Sequence, residues 1–261
     1  DAGEQALMRA AAGISAEGHI AAMRRTAPGR MEYEIEAELL YHFRRGGAQF
    51  PAYWPIVAGG ANACILHYRD NNRLLADGDL LLIDAGCELD GYASDITRTF
   101  PVNGRFSPPQ RDLYEVVLAA QLAAIAEVKP GATLDAPGEA ALRVLVQGML
   151  DYQLLQGSVD GVIESGDYRR FYMHRTGHWL GYDVHDVGDY LRDGKWRPLE
   201  PGMVLTVEPG CYIQGGDDVP AHFAGIGVRI EDDVAVTAAG REVLTAAAPK
   251  AIADIEALMR D

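Results

Sequence analysis

The chain predicts an α+β fold on three observations: apolar residues recur at helical spacing in paired segments, strand-like runs follow each pair, and Pro-Gly signals punctuate the joins. Residues 3–25 and 31–45 form the first helix pair, with Leu7, Ala11, Ile14, Gly18 and Met23 marking one face of the first helix. Strands are expected from about 55 to 100. In Ser107-Pro108-Pro109-Gln110 the serine suits an N-cap, proline the first turn and glutamine the capping-box position, so a helix starts there and ends before Pro130-Gly131. A further helix is expected over 136–156, strands around residues 208 and 231, and a last short helix over about 250–260. The α-α-β order recurring in both halves suggests an internal duplication, with the Met and Leu positions of the helices serving as core.

Five residues with ligating side chains, Asp84, Asp95, His178, Glu208 and Glu231, interrupt this apolar pattern. A carboxylate buried without a partner costs several kcal/mol or takes up a proton. Leu80-Leu81-Leu82-Ile83-Asp84 reads as a strand, Glu88-Leu89-Asp90-Gly91 as a turn and Ser94-Asp95-Ile96-Thr97-Arg98-Thr99-Phe100 as the returning strand. A reversal close to Leu89 and Asp90 sets Asp84 nearly opposite Asp95, with Cβ atoms roughly 5 Å apart. A divalent ion between them turns repulsion into coordination, and an oxygen-rich set with one imidazole suits a hard cation such as manganese.

The C-terminal half supplies the rest. Residues 171–186 carry His174, His178 and His185, three of the seven histidines. The run Met203-Val204-Leu205-Thr206-Val207-Glu208 is stopped by Pro209-Gly210, which leaves Glu208 at a strand end as the best-placed proton carrier. Alternation in Gly227-Val228-Arg229-Ile230-Glu231 puts Arg229 and Glu231 on one face, so Arg229 supports the acidic site. Two dications roughly 3.5 to 4 Å apart would make metal-assisted amide hydrolysis the natural chemistry. His174 and His185 are read as donors to the substrate, while His19, His42 and His222 are read as structural or exposed.

At 261 residues and 48% hydrophobic, the chain is long enough for one compact catalytic domain over 1–261, and no linker-like stretch divides it. The net charge of −15 repels phosphate backbones and argues against nucleic acid. Cys64, Cys87 and Cys211 lack metal-type spacing and suit a reduced, cytoplasmic protein. No apolar run reaches membrane-spanning length.

Ile83-Asp84-Ala85-Gly86, Asp95-Ile96-Thr97-Arg98-Thr99-Phe100, His178-Trp179-Leu180-Gly181, Val184-His185-Asp186, Thr206-Val207-Glu208-Pro209-Gly210 and Arg229-Ile230-Glu231-Asp232 resemble, in order and spacing, the motifs of the dinuclear metallopeptidases with the pita-bread fold. Among these the resemblance is strongest to aminopeptidase P, which releases the N-terminal residue from peptides with proline second. It implies two pseudo-symmetric α-β halves around a curved antiparallel sheet, with the metal site at its centre. It implies that Asp84 chelates one metal, Asp95 and Glu231 bridge both, and His178 and Glu208 bind the other. It also implies that His67, His174 and His185 line the substrate pocket, and that Tyr212 and Arg229 surround it. Two divalent ions, Mn²⁺ before Co²⁺ or Zn²⁺, a peptide substrate and an oligomer of identical chains follow as expectations, with prolidase or an inactive binding module as alternatives. Two departures stand out: Arg175-Thr176 where relatives often carry small residues, and no counterpart of the family's N-terminal domain before Asp1, so the chain is expected to be a fragment with relaxed specificity.

Overall fold

The computed structural model describes residues 1–260. The N-terminal half contains α1 (Ala2–Arg25), α2 (Glu32–Arg45), β1 (Phe50–Pro51), β2 (Ile56–Gly59), β3 (Leu80–Asp84), β4 (Cys87–Leu89), β5 (Tyr92–Ala93) and β6 (Thr97–Pro101). The C-terminal half contains α3 (Pro108–Glu127), α4 (Ala136–Asp151), α5 (Val159–Ser165), β7 (Leu191–Arg192), β8 (Lys195–Trp196), β9 (Val204–Val207), β10 (Gly210–Ile213), β11 (Ile226–Arg229), β12 (Asp232–Thr237), β13 (Gly240–Val243) and α6 (Ile252–Leu258). Each half sets a helix pair beside a three-stranded antiparallel sheet, β2-β3-β6 in one and β13-β12-β9 in the other. One apolar core runs through both, joining Met23, Leu39 and Phe43 of the first helix pair to Leu81 and Phe100, and Val117, Leu145 and Met149 of the second pair to Leu205 and Val234.

Local chemistry explains the boundaries. The Gln110 side chain accepts from the Ser107 backbone N–H at 2.9 Å, and α3 ends at Glu127 as the Pro130-Gly131 signal predicts. Gly18 lets α2 approach α1, since a Cβ there would lie 2.8 Å from Phe43 Cε1. Three expectations need correction. Residues 60–79 are not strand: a 3₁₀ turn over Gly60–Cys64 leads into a long loop, tied down by Asn71, whose side chain bonds Val57 N and Pro55 O. The helix expected over 136–156 stops at Asp151, and α5, too short to show a period, follows it. The third concerns the Asp84–Asp95 hairpin.

That hairpin turns on Asp90 and Gly91, both at positive φ (49° and 86°), as a two-residue primed turn requires. The reversal therefore centres one residue later than expected, and Asp84 pairs with Thr97 rather than facing Asp95. Asp95 is a diagonal neighbour on the same face, because a shift of two residues preserves side-chain direction.

His19, buried in α1, bonds the Ala85 carbonyl through Nε2 at 2.9 Å. Burial pushes its pKa down to about 4, so the folded chain stays neutral there while the unfolded chain protonates near 6.5. The depressed value means stability is intact above pH 6.5 and falls as pH drops toward 4. In metal-free protein, chemical denaturation at pH 7 and pH 5 should show about 2 kcal/mol of acid destabilisation from this group, absent in His19→Gln.

Candidate metal centre

The two halves meet where β6 runs beside the segment joining β11 to β12. Glu231 N donates to Thr97 O at 3.1 Å, and the Thr99 hydroxyl donates to Arg229 O at 2.9 Å. Below them the fully buried Arg98 bonds the carbonyls of Thr97 and Glu231 and the Asp232 carboxylate (2.9, 2.5 and 2.7 Å). Arg98 thereby clamps the backbones that carry Asp95 and Glu231. On the other side, Thr206 N donates to His178 O and Glu208 N to Thr176 O, so residues 176–180 lie along β9. Gly177 permits that contact, because a Cβ there would sit 2.1 Å from Thr206 O.

This scaffold gathers the ligating side chains predicted from sequence. Ligand-capable atoms of Asp95, His178 and Glu231 all lie within 4.8 Å of one another. Glu208 borders them, with Oε1 3.6 Å from His178 Nε2, while Asp84 sits at the other edge, held by Arg229 Nη2 at 2.5 Å. His178 Nδ1 donates to the Trp179 carbonyl at 2.9 Å, which turns Nε2 toward the carboxylates as a metal ligand requires.

Electrostatics shows how poorly these charges coexist alone. Burial, reinforced by the neighbouring carboxylates, pushes Glu231 well above the usual carboxylate range and Glu208 up to about 7, against the pull of Arg229 and, for Glu208, His178. Asp95 is also raised, first by burial. Burial opposes the charged His178 imidazole, but Asp95 and Glu208 outweigh it and raise His178 to about 9. Tyr53 reaches between the aspartates, its hydroxyl 2.6 Å from Asp84 Oδ1 and 2.5 Å from Asp95 Oδ1. The two carboxylates thus compete for one phenolic proton. The donor set thus fits divalent cations, whose charge would replace the protons that this cluster otherwise needs.

A cleft of about 550 Å³ opens over the cluster, walled by His67, His174, Arg175, His185 and Arg229. Tyr212 lies behind the wall, bonding His174 Nε2 at 2.8 Å and Arg229 Nη1 at 3.0 Å. Burial, with Arg229 nearby, lowers His174 to about 4. His185 packs edge-on against His178 with centroids 4.2 Å apart, and burial lowers its pKa also. Sequence reasoning missed Tyr53, Thr97 and Asp233. Thr97 donates to Glu231 Oε2 at 2.6 Å, and Asp233 Oδ2 accepts from Asp95 N at 3.1 Å. Thr97 was findable, since alternation puts it on the Asp95 face; Tyr53 arrives from a distant loop and carries no local signal.

The family model for metallopeptidase family M24 matches residues 6–238. The chain belongs to that family. It is 58% identical to a Haemophilus influenzae Xaa-Pro aminopeptidase over 97% of this chain and 59% of the relative. Among solved structures it resembles the aminopeptidase PepP of Pseudomonas aeruginosa (57% identity, TM-score 0.99, 100% of this chain and 59% of that one). It also resembles an Escherichia coli aminopeptidase P variant in complex with substrate (48% identity, TM-score 0.96, 100% and 59%). The likeness bears out the pita-bread architecture expected from the sequence. This M24 chain spans about three fifths of the length of these relatives.

Metal-ligand carboxylates held by a neighbouring hydroxyl commonly lose metal affinity when that hydroxyl is removed. Tyr53→Phe is expected to weaken divalent-ion binding by about tenfold, measured by calorimetric titration, with an unchanged far-ultraviolet circular dichroism spectrum.

Proposed function

We propose that residues 1–261 are the catalytic domain of an Xaa-Pro aminopeptidase that releases the N-terminal residue from peptides with proline second. The observation that carries this reading is the convergence of Asp95, His178 and Glu231 within 4.8 Å on a scaffold whose relatives bear that name. Asp84, Asp95 and Glu231 would hold one divalent ion, and Asp95, Glu231, His178 and Glu208 the other. When bound, such a pair lowers the pKa of a water and polarises the scissile carbonyl. Manganese is the proposed occupant, because four carboxylates and one imidazole form a hard donor set that contains no thiolate.

The chain's own residues supply the rest. Glu208, at the end of β9 and open to the cleft, takes the proton of the attacking water and returns it to the leaving nitrogen. A proline nitrogen carries no hydrogen in the peptide bond, so its departure as an amine depends on that delivery. The His174 Nδ1–H donates to the Arg175 carbonyl at 2.8 Å and Nε2 accepts from Tyr212, so His174 is neutral and fixed in orientation on the wall. Arg229 steadies Asp84 and Tyr212 together. His67 and His185 present imidazole nitrogens to the substrate.

A peptide is the proposed partner, and the net charge of −15 disfavours nucleic acid. No helix among the described residues is long and apolar enough to cross a membrane. The buried, unpaired Cys64, Cys87 and Cys211 support the cytoplasm as the proposed location. Assembly of identical chains is proposed with it.

In the Mn²⁺-loaded chain, a tripeptide Xaa-Pro-Yaa should lose its first residue while Xaa-Ala-Yaa stays intact. Faster cleavage of the dipeptide Xaa-Pro would identify a prolidase instead, and two bound metals with no cleavage of any peptide would sink the hydrolase reading for this chain. Glu208→Ala should lower kcat by at least ~100-fold with the fold retained; near-normal turnover at full metal content would exclude Glu208 as the proton carrier.

A further inference from the structure

Beside the cleft lies a second cavity of about 490 Å³, nearly as large as the first. The two share Arg175 and Tyr190 as a partition, with the Arg175 guanidinium carbon 5.4 Å above the Tyr190 ring. Leu134, Leu142, Tyr168, Tyr172 and Trp196 line the far side. Some of its polar groups are engaged with one another: the Tyr172 and Thr176 hydroxyls bond at 2.5 Å and the Arg169 guanidinium stacks 5.4 Å over Tyr168, while Asp135 and Glu139 stand on the α4 side and Asp135 Oδ1 has no partner. Leu134, Leu142, Tyr168, Tyr172 and Trp196 still offer a ligand an aromatic-rich apolar surface, next to a cleft of carboxylates and imidazoles with which the cavity shares His174, Arg175, Gly177 and Tyr190.

The cavity also has a defined side. Thr206 lines it and donates to Glu208 Oε1 at 3.3 Å, and His174, shared by both cavities, sits 3.7 Å from Glu208 Oε2. Asp84 and Tyr53 belong to the opposite edge of the cleft. Glu208 hands its proton to the leaving nitrogen, so the region beyond it receives the part of the peptide that departs. Proline is too small to fill such a volume.

Resting on the aminopeptidase reading, we propose that this cavity is a side-chain subsite for the residue that follows proline, and that it selects a large aromatic or aliphatic side chain there. Arg175 and Tyr190, which line both cavities, form its lip, with the guanidinium carbon stacked 5.4 Å over the ring. The departure at Arg175 noted in the sequence thereby acquires a place: it shapes the entrance to a pocket rather than touching the reacting atoms.

The test uses the Mn²⁺-loaded chain and the series Ala-Pro-Yaa with Yaa as Gly, Ala, Leu, Phe and Trp. From Gly to Phe or Trp, kcat/KM should rise by about tenfold or more, through KM rather than kcat. Leu142→Trp and Gly138→Leu, two independent ways of filling the cavity from α4, should flatten the series to within about twofold while leaving the rate on Ala-Pro-Gly unchanged. Calorimetry supplies a readout free of turnover: Pro-Trp should bind more tightly than Pro-Gly, and Leu142→Trp should erase the difference. A flat series in the unmodified chain, a preference that tracks the first residue instead, or filled variants that keep the full slope would overturn the proposal and leave the aminopeptidase reading standing. If no tripeptide is cut but the Pro-Trp preference and its loss in Leu142→Trp persist, the subsite stands and the aminopeptidase reading falls.

Discussion

Asp84, Asp95, Glu208 and Glu231 crowd the wall of one cleft, Asp95 and Glu231 buried, so like charges repel strongly, and the surrounding structure answers that repulsion group by group. Arg229 neutralises Asp84, Tyr53 bonds both aspartates, Thr97 donates to Glu231, and His178 faces Asp95 and Glu208. Even so, burial leaves Asp95, Glu208 and Glu231 raised above their ordinary pKa values. Such a cluster is stable with protons or with cations, and cation binding releases the protons.

A cluster under that tension needs a rigid base, and the buried ion network around Asp232 provides it. Asp232 accepts from Arg98, Lys250, Gln121 and Thr245, which hold it well below the usual carboxylate range although burial alone would raise it. These partners come from β6, α3 and the segments after β13, so one carboxylate ties both halves and the C-terminal region together. Losing Asp232 would leave the buried Arg98 charge without its counter-ion, and that penalty is usually larger than the stability the intact pair supplies.

The ligands and the cleft walls differ in how they are held. Asp84 ends a central strand, Glu208 follows β9, and Glu231 sits between two paired strands. His67, His174, Arg175 and His185 lie on loops instead, with His174 tethered through the Arg175 carbonyl and Tyr212. Strands and the segments hydrogen-bonded to them thus carry the ligand-capable groups, and loops carry most of the cleft wall.

How much of this was legible follows from the range of each interaction. The helix starts, the Glu208 strand end and the common face of Arg229 and Glu231 are local consequences of capping, Pro-Gly punctuation and period-two alternation, and the sequence alone determined them. Acidic residues set in apolar runs marked the metal site for the same reason: burial of charge demands a partner wherever it occurs. The hairpin register escaped by two residues because Asp90 and Gly91 both accept positive φ, a choice among neighbouring turn positions that their composition leaves open. Tyr53 between the aspartates, Asp233 beneath Asp95, Arg98 across the seam and the cavity behind Arg175 were decided only by tertiary structure. Each depends on residues far apart in the chain converging on one place, and no local pattern encodes the packing that brings them there.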